Sequence, residues 1–264
     1  MKYILFKIIA VISLFSVFPN LLKGQTISRD VNPSAAGFFS AANGSLSWTM
    51  GETFQKTLSA PNTILTQGFQ QPEAANVTLE LTLFIEGYYQ GGGTQIASVD
   101  PVNYPTLSDT ITIELASKDI PYSILQSKKT TLSTAGFASV SFPGLVQGFQ
   151  YFVVVRHRNS LQTWSATPVS LALPKATYNF SLVSSSAFGG NLAPLFDGRY
   201  GIWSGDVNQD GLVESTDYSD VENASQIFLS GYELTDLTGD GLVESADYSL
   251  IENNSQLFLI YSTP

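Results

Sequence analysis

From residue 77 to residue 175 the chain alternates apolar and polar side chains. Leu79, Leu81, Leu83 and Ile85 interleave with Thr78, Glu80, Thr82 and Glu86. Ile111, Ile113 and Leu115 interleave with Thr110, Thr112 and Glu114, and Ala138, Val140 and Phe142 with serines. A period of two with one apolar face predicts strands half exposed to water. Tyr151–Val155 is apolar on both faces and predicts a central strand. Gly91-Gly92-Gly93, Asp119-Ile120-Pro121, Pro143-Gly144 and Arg158-Asn159-Ser160 supply turns between the runs. Short strands at this spacing predict a β-sandwich over 77–175. Upstream, Leu46, Trp48 and Met50 alternate before Gly51, and a run from Thr63 to Phe69 follows the turn Ala60-Pro61-Asn62, so 25–75 reads as a small β unit. Residues 176–204 read as a connecting segment or last strand, with Tyr178 and Phe180 alternating, a loop at 184–190, and Arg199–Trp203 leading into the tail. Tyr200 and Trp203 are expected to pack that tail against the sandwich.

The pattern changes at 205–264. Residues 206–229 and 236–259 are two copies of one sequence, offset by 30 residues and identical at 16 of 24 positions. After each acidic opening, Tyr218, Val221, Ile227 and Phe228, and then Tyr248, Ile251, Leu257 and Phe258, fit one face of a short helix. Isolated helices this short are marginal in water. The two are therefore expected to pack on each other about a pseudo-twofold axis with the loops antiparallel. The overall expectation is a mainly β chain: a small N-terminal β unit, a sandwich, and a small α-helical C-terminal pair of loop-helix repeats.

Each copy opens D-x-[NT]-x-D-G-x-x-E-x-x-D. Calcium takes six to eight oxygen ligands, and a 12-residue loop wraps it with side chains at alternating positions and a carbonyl at position 7. The first loop offers Asp206, Asn208, Asp210, the Leu212 carbonyl, Glu214 and Asp217. The second offers Asp236, Thr238, Asp240, the Leu242 carbonyl, Glu244 and Asp247. Position 6 needs a left-handed turn, and Gly211 and Gly241 stand there. The expected cofactor is Ca2+ at two sites, the second weaker because Thr238 replaces Asn208. The bland alternative is a repeated, solvated acidic surface.

Aspartate at position 12, two repeats this far apart and no good helix before the first loop resemble the type I dockerin module. The resemblance covers about 204–260. It implies a protein partner of the cohesin type, contacted around loop positions 10 and 11, here Ser215-Thr216 and Ser245-Ala246. Those residues are also ordinary at the start of a helix. The sandwich is of the immunoglobulin, fibronectin or prealbumin-like kind, and residues 142–159 resemble the penultimate strands of prealbumin-like modules. The string SWTMGETF…LTQGFQQPE resembles an N-terminal segment recurring in secreted proteins of the Bacteroidota. Many of those use type IX secretion, which needs a C-terminal sorting domain, and none is obvious here.

The formal net charge of −10 lies wholly in the tail. Residues 1–199 carry 12 Lys+Arg and 10 Asp+Glu, and residues 200–264 carry 12 Asp+Glu and no Lys or Arg. Four carboxylates per loop repel one another, so a tail loose without calcium and folded with it is expected. The balance argues against nucleic acid as a partner. The absence of cysteine excludes disulfides and thiolate sites. Lys2 and Lys7 followed by the apolar run Ile8–Phe18 match a secretory signal peptide over 1–24, which predicts export to the cell surface or medium, with the periplasm as the other destination. That run is short for a span, and no other segment predicts one.

Catalytic signals are weak. His157 is the only histidine. It is either a general base or an edge-of-core side chain, and no serine elbow or carboxylate partner is evident for it. Glu80, Glu86, Asp100, Asp109, Glu114 and Asp119 are scattered, and those on strands are expected on the solvent face. Tyr88, Tyr89 and Tyr104 around the glycine run are either a sugar-stacking platform or ordinary packing. The expectation is a secreted, non-catalytic calcium-binding protein whose tail docks a protein partner. The alternative is an accessory part of polysaccharide breakdown, as a glycan-binding module or an unrecognised hydrolase.

Overall fold

The computed structural model describes the backbone of residues 35–41, 44–50, 57–60, 63–66 and 75–264 except 146–148 and 172–174, with side chains from residue 76 onward. The expected signal peptide at 1–24 lies outside the described residues. In the region expected to form a small β unit, β1 (Ala35–Ala41) pairs antiparallel with β2 (Gly44–Met50), and β3 (Thr57–Ala60) with β4 (Thr63–Thr66). The chain divides into two compact units. The β1–β2 hairpin belongs to the first, and the sandwich and tail together belong to the second.

The second unit is built on one curled, eight-stranded sheet. Its strands are β5 (Ala75–Thr82), β8 (Leu107–Ser117), β9 (Ile124–Ser133), β10 (Phe137–Leu145), β11 (Gln150–His157), β12 (Ser160–Trp164), β13 (Val169–Ser170) and β14 (Lys175–Asn179). Between β5 and β8 lies a small hairpin of β6 (Tyr89–Gly91) and β7 (Thr94–Gln95). The order is β12-β11-β8-β9-β10-β5-β14, with β13 also on β11, and β14 runs parallel to β5. The alternating residues read from the sequence face inward: Leu79, Leu81, Leu83, Ile85, Ile113 and Leu115 are fully buried, with Ile111, Ala138 and Phe142 beside them. The central strand β11 is covered on both faces. Val153 and Val155 join the main core, and Phe152 and Val154 pack with Ala116 and Trp164 on the other side. Strand β9 carries Lys128 and Lys129 and buries only Leu132, which is why it has no hydrophobic period to read.

After the sheet, β15 (Ala193–Pro194) and β16 (Tyr200–Gly201) pair, and Ile202 bridges to Ile85. The two aromatics expected to join tail and sandwich divide the work. Tyr200 packs on the sandwich core, and Trp203 packs on the tail core.

The tail core consists of Val207, Val213, Val221, Ala224, Leu237, Val243 and Ile251, plus one sandwich side chain, Leu161 of β12. The helices are α1 (Ser215–Gln226) and α2 (Ser245–Ser255), each opening with its loop's position-12 aspartate in the first turn. They pack on each other, as expected, and the Tyr218 and Tyr248 hydroxyls meet. The repeats also exchange strands. Within the first loop β17 (Leu212–Val213) pairs with β18 (Leu259–Ile260), beyond the second helix, and Val243 N–H donates to Leu229 O at 2.7 Å.

One part of the helical stripe is corrected. Val221 and Ile251 are buried, but Ile227, Phe228, Leu257 and Phe258 are 71, 66, 56 and 85% exposed. The α-helices stop at Gln226 and Ser255, and Phe228 and Phe258 adopt φ of +50° and +52°. That left-handed step reverses the chain, turns these side chains outward and leaves the half-buried Leu229 and Leu259 to pack against the tail core. Among the described residues no helix is long and apolar enough to cross a membrane.

Candidate calcium loops and partner faces

The first and last aspartates of each loop are sunk into the fold. Asp206 and Asp236 are 2% and 1% exposed, and Asp217 and Asp247 are fully buried. Burying an ionised carboxylate is costly unless it is paired. Here the partners are backbone amides. Asp217 Oδ1 accepts from Val207 N at 2.8 Å and Asn208 N at 3.1 Å, and Oδ2 accepts from Glu214 N at 3.1 Å. Asp247 does the same with Thr238 N at 2.8 Å and Glu244 N at 2.9 Å. The position-12 carboxylates thus tie the loop start to the helix start, with the position-9 glutamate as the helix N-cap residue. Gly211 and Gly241 have φ of +91° and +88°, the left-handed turn expected at position 6.

The loops differ at position 1. Asp236 Oδ1 accepts from Gly239 N at 2.7 Å, and Oδ2 accepts from Gly241 N at 3.0 Å. In the first loop Asp206 Oδ1 is buried with no hydrogen-bond partner. Burial pushes the Asp206 carboxyl up to about 6 against the Gly211 and Gln209 amides that favour its charged form, with Asp217 and Asp210 adding repulsion, and it raises Asp217 and Asp236 as well. A set of oxygen donors with an orphaned, buried carboxylate oxygen and unfavourable burial of negative charge fits a hard divalent cation, which inverts that electrostatic logic. Among the described residues no three Asp, Glu, His or Cys side chains converge as a metal-holding group. The position-12 carboxylates are engaged by N–H donors, and Asp210 and Asp240 turn to the Leu212 and Leu242 amides at 2.9 Å. Position 3 differs too. Asn208 Oδ1 accepts from Asp210 N at 2.8 Å, whereas the Thr238 hydroxyl donates to Asp247 Oδ1 at 3.0 Å.

Ser215, Thr216, Ser245 and Ala246 are all exposed at the starts of α1 and α2. The β17–β18 pairing sets Val213, two residues before Ser215, opposite Leu259, the residue after Phe258. Val243 N–H donates to Leu229 O and Ser230 bridges to Leu242, which relates Phe228 to the start of α2 in the same way. Each small-residue helix start therefore lies within a few residues of the strand exchange that carries the exposed apolar pair of the other repeat. Sequence spacing alone does not reveal this, because it follows from the strand exchange.

The tail sits on the sandwich through a polar cluster that sequence reasoning missed. His157 is buried, and its Nε2 lies 3.1 Å from Asp109 Oδ2. A carboxylate only accepts, so Nε2 carries the proton and Nδ1 accepts from the Ser160 hydroxyl at 2.8 Å. Burial lowers the imidazole pKa, with the Asp109 carboxylate opposing that shift. Asp109 is thus the carboxylate partner that His157 was expected to lack, and it faces inward rather than to solvent. Burial pushes the Asp109 carboxyl up, but hydrogen bonds from His157, Tyr232 and the Thr110 amide outweigh this and hold it well below the usual range. Ser160, His157 and Asp109 are at most 3% exposed, so no substrate carbonyl reaches the serine. Tyr88 is buried beside this cluster and Tyr89 bonds Asp197, which leaves only Tyr104 of the proposed sugar platform in solvent.

Three further side chains tie the tail to the sandwich. Arg158 stacks on Tyr232 at 4.1 Å, donates to Asp236 O at 3.4 Å and lies 3.9 Å from Asp236 Oδ2. Asn159 Nδ2 donates to Asp236 O at 2.8 Å and Leu234 O at 3.0 Å. Asn254 Nδ2 donates to Glu86 Oε2 at 2.7 Å and Ser204 O at 2.9 Å, and burial pushes the Glu86 carboxyl up to about 6.

Residues 204–255 match the dockerin type I domain. No curated protein matches. Among solved structures the chain is similar to two mutant type II cohesin–X-module–dockerin complexes from Acetivibrio cellulolyticus, one altered at a C-terminal and one at an N-terminal interface. Each is 16% identical and covers 72% of this chain and 96% of that chain, with TM-scores of 0.39 and 0.37, a level from which a shared topology does not follow. Type I dockerin domains bind calcium and serve protein–protein interaction, and the C-terminal region of this chain carries such a domain.

Proposed function

We propose that this is a secreted, non-catalytic protein whose C-terminal module folds around two calcium ions and docks a cohesin-like partner. The observation that carries the calcium reading is the burial of loop carboxylates with amide donors alone and no cationic side chain in the first loop, together with the buried Oδ1 of Asp206 that lacks a hydrogen bond of ordinary geometry. Asp206, Asn208, Asp210, the Leu212 carbonyl, Glu214 and Asp217 would hold the first ion. Asp236, Thr238, Asp240, the Leu242 carbonyl, Glu244 and Asp247 would hold the second. Binding would draw the position-12 carboxylates away from their N–H donors, so loop rearrangement and ion capture are one step. The partner would meet the two faces around Ser215-Thr216 and Ser245-Ala246, each enlarged by an exposed apolar pair. Calorimetry with a chelator control, followed by a calcium-dependent pull-down from the producing cell's surface fraction, tests both halves. Absence of binding in the millimolar calcium range overturns the first, and calcium-independent capture overturns the second.

A second reading, glycan binding by the sandwich, is favoured by one observation. A cleft of about 390 Å3 opens on the sheet where Glu80, Thr82, Phe137, Thr177, Tyr178 and Asn179 meet. Phe137 is 43% exposed and offers an apolar face beside hydroxyl and amide groups, the pairing a sugar ring requires. A glycan array with Phe137→Ala as control decides it.

A further inference from the structure

The β11–β12 turn touches the start of both calcium loops, and one residue does so twice. The main-chain carbonyl of Asn159 accepts from Gly205 N at 2.8 Å, immediately before Asp206. Its side-chain Nδ2 donates to Leu234 O and to Asp236 O, the first residue of the second loop. Asn159 is fully buried, and its Oδ1 makes no hydrogen bond of ordinary geometry, although the amide stands beside the His157 ring, whose charged form it favours. A weakly satisfied amide oxygen in the interior brings little stability. The donor side of the amide, with its two bonds, is therefore the stronger part of what the asparagine supplies. That donor is aimed at the second loop and at nothing in the sandwich.

We propose that Asn159 is a positioning residue for calcium, and that the sandwich is a built-in arm of the calcium module rather than a neighbour joined by a linker. Asn159 Nδ2 fixes the Asp236 main chain before any ion arrives, so part of the ordering that the second site requires is already made by the sandwich. Arg158 assists by donating to the same carbonyl, with its charge shared with Asp109 at 3.2 Å. Coupling between two sites is reciprocal. If docking on the sandwich favours calcium at the second loop, then calcium at that loop tightens docking of the tail.

This inference rests on the calcium reading, and its test separates the two. In the full chain, Asn159→Ala removes the bonds to Leu234 O and Asp236 O but keeps the main-chain bond to Gly205. Outer-shell changes of this kind weaken metal binding by roughly 10–100-fold. Calorimetry should therefore show the second-site affinity falling by about that factor, with the first site changed less than about threefold. Equal weakening of both sites marks a general loss of fold and overturns the proposal, as does no change at either. A wild-type chain that binds no calcium instead overturns the reading beneath it. A second measurement needs no Asn159 variant. Hydrogen exchange at residues 157–161 should slow when calcium is added to wild type and to Asp206→Ala, but not to Asp236→Ala. Protection that persists in Asp236→Ala, or is absent in wild type, overturns the coupling.

Discussion

The two repeats share 16 of 24 residues, yet they stand in different surroundings. The second faces the sandwich. Its Gly239 lies so close to Tyr88 that an added Cβ would sit 2.7 Å from the ring, its Asn254 bonds Glu86, and its Asp236 is held by Asn159. The corresponding residues of the first repeat are Gln209, Ala224 and Asp206. Gln209 turns back to the Asp206 carbonyl at 2.6 Å, Ala224 fills the tail core, and Asp206 keeps an unpaired oxygen. Two substitutions between the copies, Gln209 for Gly239 and Ala224 for Asn254, thus track which copy meets the sandwich. Identical ligand spacing specifies two loops, and the non-identical positions specify how each is held.

The largest effect should come from removing one repeat. A chain ending at Gly231 loses Leu259-Ile260, the strand that pairs with Leu212-Val213 inside the first loop, and loses Ile251 from the shared core. Calcium binding at the first loop should disappear together with the second, while the sandwich, with its own core, stays folded. A truncated chain that still binds one ion tightly would make the repeats independent and dissolve the comparison.

Single ligands come next. Asp206→Ala or Asp210→Ala should weaken the first site by more than about 100-fold and leave the second partly intact, with Asp236→Ala and Asp240→Ala doing the reverse. The wild-type second site should be the weaker one, because the Thr238 hydroxyl donates to Asp247 rather than offering an amide oxygen. Thr238→Asn should narrow the gap in a two-site titration. Wild-type affinity at both sites in all four aspartate variants would refute the ligand assignment.

How much of this was legible beforehand follows from the kind of signal. Period two revealed β5, β8 and β10, because their inward faces meet one apolar core. It could not reveal β9, which buries one leucine, or β14, whose place is set by parallel pairing with β5. The repeat revealed the loops and helices, since the same residue types recur in it at fixed spacing. The Asp109–His157–Arg158–Tyr232 cluster was illegible, because its members lie up to 123 residues apart and look like ordinary surface residues. Outward rotation of Ile227, Phe228, Leu257 and Phe258 was also hidden, because helical spacing continues past the point where the backbone reverses.

A smaller effect should separate the repeats by pH. Glu86 is raised to about 6 from 4.5, chiefly by burial, with Ser204 and Asn254 as its polar neighbours. The folded state therefore holds the proton more tightly than the unfolded chain. The stabilisation is complete below pH 4.5 and is lost as pH rises through about 6. A shift of that size corresponds to roughly 1–2 kcal/mol. Glu86→Gln keeps an acceptor for Asn254 and has no proton to lose. It should match wild type near pH 4 and exceed it by about that amount at pH 7.5 in denaturant unfolding of both proteins at one fixed, saturating calcium concentration. An equal difference at both pH values would show that the Asn254 contact, rather than the titration, sets the effect.

The smallest predicted effect concerns the two positions where the repeats agree against local preference. Phe228 and Phe258 hold left-handed φ, where a bulky side chain costs about 1 kcal/mol more than glycine. Both are exposed, so little packing offsets that cost. Phe228→Gly and Phe258→Gly should each leave calcium affinity unchanged, and the strain they relieve should balance or slightly exceed the extra freedom glycine gives the unfolded chain, a net change of about 0–1 kcal/mol toward stability. Each should also weaken capture of the partner through the face it lies near, Ser215-Thr216 for Phe258 and Ser245-Ala246 for Phe228. If only one variant weakens capture, the partner uses a single orientation, and the asymmetry imposed by the sandwich extends to recognition. Marked destabilisation by either glycine would mean that the aromatic ring supports the fold, and its exposure could then no longer be read as a docking feature.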